Sequence, residues 1–440
     1  MTSNFIFVGD VHGQFKKLTE LMDAVDFIPD DPMSTASDSK MIFVGDLIDN
    51  VAQQGVDQLA TLTLVRSLCE RNLAICLLGN HEFNAIGWWL RHPQTGQPLR
   101  QHSNDNKHQH QLFLEEVEED SATHADWARW FMTLPLFLDL GEVRAIHACW
   151  DRTVIAQIRP YLNSDNSLKA EFWPDAFNPQ HELHDFCEIL LKGPEIGLPE
   201  GFGFHDKRGK FRQQIRVSWW QDSARTYREL AQVPSASRTA IPDVPLPDAI
   251  RPLAQELPVV VGHYTLSGMP ELLSEKVICV DYNAAAEDEP LVSYLWFTDN
   301  QKPHCPDACH FFWSDQPHFS REAEAGMSQW LANIVEPLEW PHHKPEQLEL
   351  FCTEVRKILW QHWDPSGVFG IEACRDEYDG YVSDIVKLVF ASGSERQLIG
   401  GYLLGLELAY FGGETDSERC GRAAVYLMAA RDSWLATQVS

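Results

Sequence analysis

Five short groups of polar residues follow one another along this chain: Gly9-Asp10-Val11-His12-Gly13, Gly45-Asp46-Leu47-Ile48-Asp49-Asn50, Gly79-Asn80-His81-Glu82, His147, and Gly262-His263. A single Gly-Asp pair is ordinary turn punctuation. Five such groups in order are not, because carboxylate, imidazole and amide oxygen are the donors that a divalent cation such as Mn, Fe or Zn takes. Burying so many ionisable or polar groups without a cation would be costly. The chemistry indicated is that of a centre built on two divalent metal ions.

Each group stands at the end of an apolar run. Phe5–Val8, Met41–Val44 and Leu73–Leu78 precede the first three, Val143–Ile146 precedes His147, and Pro258–Val261 precedes Gly262. Short, continuously apolar runs bounded by glycine read as strands buried on both faces. Val277–Val280 and Leu291–Phe297 read as further strands. Between the first two runs Phe15, Leu18, Leu21, Met22 and Val25 share one helical face, and Val56–Cys69 supplies another helix before the third. Alternating strand and helix implies parallel strands covered by helices, with ligands gathering at the carboxyl ends of the strands. Gln101–His110 and Val233–Pro252 read as surface loops, which leaves His102, His108 and His110 solvated.

With 440 residues the chain is long enough for two or three domains. After about residue 315 the pattern becomes helical. Leu348, Phe351, Val355, Ile358 and Leu359 form one stripe, Tyr381, Ile385, Leu388 and Val389 another, and Leu398–Leu406 and Ala423–Trp434 continue it. Residues 1–315 are therefore expected to form the catalytic domain and residues 345–440 a small all-helical domain. Asp and Glu outnumber Lys and Arg by 64 to 35, a formal net charge of −29 that disfavours nucleic acid polymers and anionic membranes as partners. No run approaches a membrane span. The ten cysteines are scattered, as in a protein with reduced thiols. Phe5–Val8 is too short for a signal peptide, so a cytoplasmic location is expected.

The groups GDxHG, GDxxD, GNHE, a lone His and a final GH resemble the calcineurin-like metallophosphoesterases, in the branch of phosphoprotein phosphatases and diadenosine tetraphosphate hydrolases. The resemblance covers roughly residues 5–265. It implies an α/β fold, a four-layer αββα sandwich, in which Asp10, His12 and a shared Asp46 hold one metal, and Asp46, Asn80, His147 and His263 hold the other. Manganese is the expected metal, with iron or zinc as alternatives. It also implies attack by a metal-bridging hydroxide on a phosphorylated substrate, with His81 protonating the leaving oxygen and Asp49 orienting His81.

Two departures stand out. Related phosphatases carry Arg where Asn50 stands here, and Tyr264 and Thr265 follow His263 where other branches place a second His. A phosphate clamp is then expected elsewhere: Arg216 first and Arg212 second, because a guanidinium fork matches phosphate bidentately. Asp281 is a candidate supporting carboxylate. The His304–His310 cluster, with Cys305 and Cys309, is a weak match to a structural zinc site, which draws its second ligand pair from further along the chain. The tail, with Trp363-Asp364-Pro365 and Asp376-Glu377-Tyr378-Asp379, is similar to a bacterial helical module, and its acidic cluster reads as caps or a solvated face. It is a candidate surface for a protein partner. The leading expectation is a phosphatase acting on phosphate monoesters, either a phosphoprotein or a small phosphorylated metabolite. The alternatives are a dinucleoside polyphosphate hydrolase and a metal-free scaffold.

Overall fold

The computed structural model describes residues 4–25, 27, 29, 39–49, 55–205, 211–221, 223–233, 235–247, 253–268, 270–296, 306, 310–314, 331–338, 340–341, 345–370, 375–391, 396–411 and 417–438. Asn50 and most of the His304–His310 cluster lie outside these residues.

Strand β1 (Asn4–Val8) pairs in parallel with β2 (Ser39–Phe43), from Asn4 opposite Ser39 to Val8 opposite Phe43. β2 pairs in parallel with β3 (Ala74–Cys76). Helices α1 (Phe15–Ala24) and α2 (Gln58–Glu70) make the crossovers. α1 buries Leu18, Leu21 and Met22 on one stripe, as its apolar spacing demands. α2 begins at Asp57, whose side chain accepts from the Ala60 amide at 2.7 Å. The strands Val292–Trp296 and Phe311–Trp313 add antiparallel to the far side of β1, completing a five-stranded sheet.

A second five-stranded sheet contains β4 (Phe137–Asp139), β5 (Arg144–Ile146) and the strands Val259–Val261, Leu272–Ser274 and Val277–Cys279. Val259–Val261 runs parallel to both β5 and Val277–Cys279. The fold is thus α/β, two mixed sheets flanked by helices and joined by one continuous apolar core. The polar groups expected to carry the chemistry all follow strands whose parallel pairing aligns their carboxyl ends. Of the four edge strands, β3 was expected from the sequence, whereas Phe137–Asp139, Leu272–Ser274 and Phe311–Trp313 were not.

Two expected loops differ. Gln101–His110 is not a loop throughout: after α3 (Asn80–Trp89), the helix α4 spans Asn104–Val117. Ser103 caps α4 by accepting from the Asn106 amide, and His110, Phe113, Leu114 and Val117 form its buried stripe. The described part of Val233–Pro252 contains a helical turn at Ser235–Arg238.

The tail forms helices at Pro345–Ile358, Asp379–Phe390, Arg396–Leu406 and Ser417–Gln438. Their apolar stripes pack on one another, but also on the first sheet: the Phe312 ring lies against Gly401, where a methyl would come within 3.1 Å of it. In the acidic cluster Asp379 pairs with the Arg356 Nε at 3.3 Å. The Tyr378 hydroxyl donates to Asp364 at 2.7 Å. Among the described residues no helix is long and apolar enough to cross a membrane.

Candidate metal centre and active site

The loops after β1 and β2 are tied together by their main chains. The amides of Val11 and His12 both donate to the Asp46 carbonyl at 3.0 Å, and Gly13 donates to the Leu47 carbonyl at 2.7 Å. Glu82, buried at the start of α3, accepts from the amides of Asp46 (2.9 Å), Leu47 (2.8 Å), Ile48 (3.2 Å) and Gly79 (3.1 Å). It fixes the loop that presents Asp46. Burial and the neighbouring Asp46 push the Glu82 carboxyl up to about 7 despite these donors. The quoted GNHE group contained Glu82, but nothing in its type or spacing distinguished a loop anchor from a helix-capping glutamate.

This local tightness has a conformational cost. His12 (φ 49°), Asp46 (φ 52°), Asp49 (φ 70°) and His263 (φ 70°) all occupy the left-handed region, which non-glycine residues seldom adopt. Four such residues, in the loops after three different strands, mark the place where the fold subordinates backbone comfort to side-chain placement. Glycine is required where the loops touch: a methyl at Gly79 would overlap the Asp46 amide, and one at Gly262 would overlap the Asp10 carboxylate.

The six expected metal ligands lie together at this point. The ligand atoms of Asp46, His147 and His263 fall within 4.8 Å of one another, and those of His12, Asp46 and His81 do the same. His147 Nε2 is 3.4 Å from Asp46 Oδ2 and 3.1 Å from Asn80 Oδ1. Asp10 Oδ2 accepts from the His263 amide at 3.0 Å, which leaves Asp10 Oδ1 and His263 Nε2 buried with no hydrogen-bond partner among the described residues.

Side-chain chemistry supports cation binding. His147 Nδ1 donates to the Val44 carbonyl at 2.8 Å and His12 Nδ1 to the Ile48 carbonyl at 2.9 Å. In a neutral ring the other nitrogen then carries a lone pair. For His147 that lone pair faces the oxygens of Asn80 and Asp46, so a proton or a cation has to lie between them. Burial, then the charge of His81, holds His12 below its usual range; burial, then the charge of Arg216, holds His263 well below it. Both therefore present bare nitrogens. Asp10 is pushed well above the usual carboxylate range by burial and then by Asp281 and Asp46. A buried Asp10 crowded by other carboxylates and imidazoles with unused lone pairs fit divalent cations.

His81 stands beside this cluster. Its Nδ1 donates to Asp49 Oδ2 at 2.8 Å, and its Nε2 lies 3.8 Å from Asp46 Oδ2. Burial disfavours its charged form, but Asp46 and Asp49 outweigh this and hold the imidazole up at about 9. The structure therefore joins His81 and Asp49 directly, while also placing His81 close enough to His12 and Asp46 to be a ligand itself.

Arg216, in the strand Gln214–Arg216, reaches the neighbourhood of His263, on which its charge acts, and its Nη2 is 3.8 Å from Glu195. Its Nε is buried with no hydrogen-bond partner among the described residues. Arg212 is exposed on a two-stranded ribbon with Phe204–His205. Asp281 is buried; it accepts from the Thr265 amide at 2.6 Å and bears on Asp10, as a supporting carboxylate would.

One expectation is corrected outright. His110 is not solvated: it is 1% exposed, and its Nδ1 donates to Asp49 Oδ2 at 2.5 Å. Against burial, which raises it, His110 and then His81 keep the Asp49 carboxyl below its usual range. His102 and His108 are exposed, as expected, and one face of the His102 ring stacks on Trp88 with ring centroids 3.6 Å apart. The polar residues around them concealed a helix whose stripe starts with a histidine.

The family model for calcineurin-like phosphoesterases matches residues 3–316, well over half of the chain. The chain belongs to the calcineurin-like phosphoesterases. Among curated relatives of this phosphoesterase, a symmetrical bis(5'-nucleosyl)-tetraphosphatase from Shewanella baltica is 32% identical over 176 residues, 37% of this chain and 54% of the relative. The chain thus spans about half the length of that relative. Solved structures similar to it include a protein serine/threonine phosphatase from Saccharomyces cerevisiae, 16% identical over 71% of this chain and 79% of that one, with a TM-score of 0.37. A cold-active protein tyrosine phosphatase of a psychrophilic Shewanella is 13% identical over 67% of this chain and 80% of its own, also with a TM-score of 0.37.

Proposed function

We propose that this phosphoesterase hydrolyses phosphate monoesters with alkoxide leaving groups, using two divalent cations held by Asp10, His12, Asp46, Asn80, His147 and His263. Bound there, the cations would supply charge neutralisation for the phosphate oxygens and an activated water. The chain's own residues do the rest. His81 delivers a proton to the departing oxygen, Asp49 holds its ring, and Arg216 grips a phosphate oxygen from the side of His263.

The observation that carries this reading is the His81–Asp49 bond at 2.8 Å, within reach of the shared Asp46. A serine-like alkoxide leaves poorly without a proton, so a positioned acid contributes much to its departure. A nucleoside phosphate leaves as a stable oxyanion and gains less. The tetraphosphatase relative supports a second reading, cleavage of a dinucleoside polyphosphate.

One assay separates the two. The Mn-supplied protein is given phosphoserine peptides, small phosphorylated metabolites and dinucleoside tetraphosphate in parallel. The expected result is a kcat/KM for a monoester at least about tenfold above that for the dinucleotide, a preference of about 1.4 kcal/mol. The reverse order would overturn the first reading in favour of the second, and turnover of neither with no bound metal would leave a scaffold.

Replacing Arg216 by Ala is expected to raise KM about tenfold with metal content unchanged, because a charge-assisted phosphate contact is lost while the ligands stay. Arg212→Ala should have a smaller effect, since Arg212 is exposed. Equal, silent kinetics for both variants would move the phosphate clamp elsewhere.

A further inference from the structure

The Asp49 carboxylate has two imidazole partners on one oxygen. Oδ2 accepts from His81 Nδ1 at 2.8 Å and from His110 Nδ1 at 2.5 Å, and Oδ1 is buried with no hydrogen-bond partner among the described residues. The far side of His110 is equally constrained. Its Nε2 receives a hydrogen bond from Arg100 Nη1, while Arg100 Nη2 donates to Asn106 Oδ1 at 3.1 Å and Gln109 Oε1 at 2.8 Å. A guanidinium has no acceptor. His110 Nε2 must therefore be the bare nitrogen and Nδ1 must carry the proton, so the ring can only donate to Asp49.

We propose that His110, with its tautomer set by Arg100, is a positioning residue for this hydrolysis: it fixes the Asp49 carboxylate so that Asp49 can hold His81 toward the departing oxygen. This rests on the reading of His81 as the proton donor. The geometry gives the mechanism. Both lone pairs of Oδ2 are used, one by each imidazole, and Oδ1 contributes no restraint. Without His110 the carboxylate is free to turn about its Cβ–Cγ bond, and the His81 ring that it orients turns with it. Arg100 is itself anchored: its amide donates to the Gly87 carbonyl on α3 at 2.8 Å, so the chain Arg100–His110–Asp49–His81 runs from one side of α3 back to its start. The sequence separations are long, His110 standing 61 positions beyond Asp49.

The test uses the full-length, Mn-loaded protein and two substrates, phosphoserine as an alkyl phosphate and 4-nitrophenyl phosphate as one whose leaving group needs no proton. For His110→Phe the expected result is a ~10- to 100-fold fall in kcat on phosphoserine, the usual effect of losing a partner that orients an active residue. KM and metal content should be unchanged, and the loss on 4-nitrophenyl phosphate should be much smaller. His110→Asn, whose side-chain amide can donate from near the Nδ1 position, should recover most of the loss. Arg100→Met should reproduce the selective loss more weakly, and it decides the matter if His110→Phe does not fold.

An equal loss on both substrates, no loss on either, or His110→Asn no better than His110→Phe would overturn the proposal. His81→Ala is run beside them. If it is selective for phosphoserine and the His110 and Arg100 variants are not, the positioning role alone fails. If His81→Ala is itself unselective, the acid assignment fails and the proposal falls with it.

Discussion

Asp46→Asn is expected to abolish metal binding and turnover together. Asp46 is the one residue common to both clusters of potential ligands, and its Oδ2 lies within 3.4 Å of His147 and 3.8 Å of His81. Burial raises its pKa, yet His147 and His81 together hold it well below the usual carboxylate range, so it is a negative charge at the centre of the imidazoles. Asparagine keeps the shape and can still accept from the His81 amide, as Asp46 Oδ1 does at 2.9 Å. It also tolerates the left-handed backbone at this position (φ 52°) better than most residues. The change thus removes the charge while keeping most of the fold's local demands. The expected loss in kcat is at least ~10³-fold, because polarisation of phosphate and activation of water both depend on the cations. Metal analysis by mass spectrometry, beside steady-state rates and thermal unfolding, checks it. Wild-type turnover by a metal-depleted but folded Asp46→Asn protein would refute a two-metal mechanism.

His81→Ala should behave differently. As proton donor, His81 should be dispensable for metal and costly for turnover, with kcat falling ~10²- to 10⁴-fold on alkyl phosphates. The loss should shrink on 4-nitrophenyl phosphate. The structure makes this a sharp test, since His81 also sits within ligand reach of His12 and Asp46. Were it a ligand, the alanine variant would lose metal in proportion to activity, and the deficit would be the same for both substrates. Retained metal with a leaving-group-dependent deficit is the outcome that assigns it as the acid.

The chain's own order of residues determined the strands and the polar groups that follow them. β1, β2 and β3 and the helices between them were readable because buried parallel strands need unbroken apolar runs, and covering helices need one apolar stripe. The candidate ligands Asp10, His12, Asp46, Asn80, His147 and His263 were legible because the polar groups that follow those runs resemble the calcineurin-like pattern. The tail's helices were readable for the same periodic reason.

Only the tertiary structure decided how these groups are held. Glu82 steadies the Asp46 loop through four backbone amides, and such a role has no signature in residue type. His110 seemed a solvated loop residue because the stretch before it is polar, and its burial depends on α4 folding back over Asp49 from 61 residues away. Arg100 sets the His110 tautomer from outside any motif. The packing of Phe312 on Gly401, which seats the helical tail on the first sheet, likewise joins segments that local periodicity treats separately. The physical reason is common to all four. Local pattern reports which face of an element is apolar, whereas the partner of a buried polar group or of a packed ring is set by where distant elements meet.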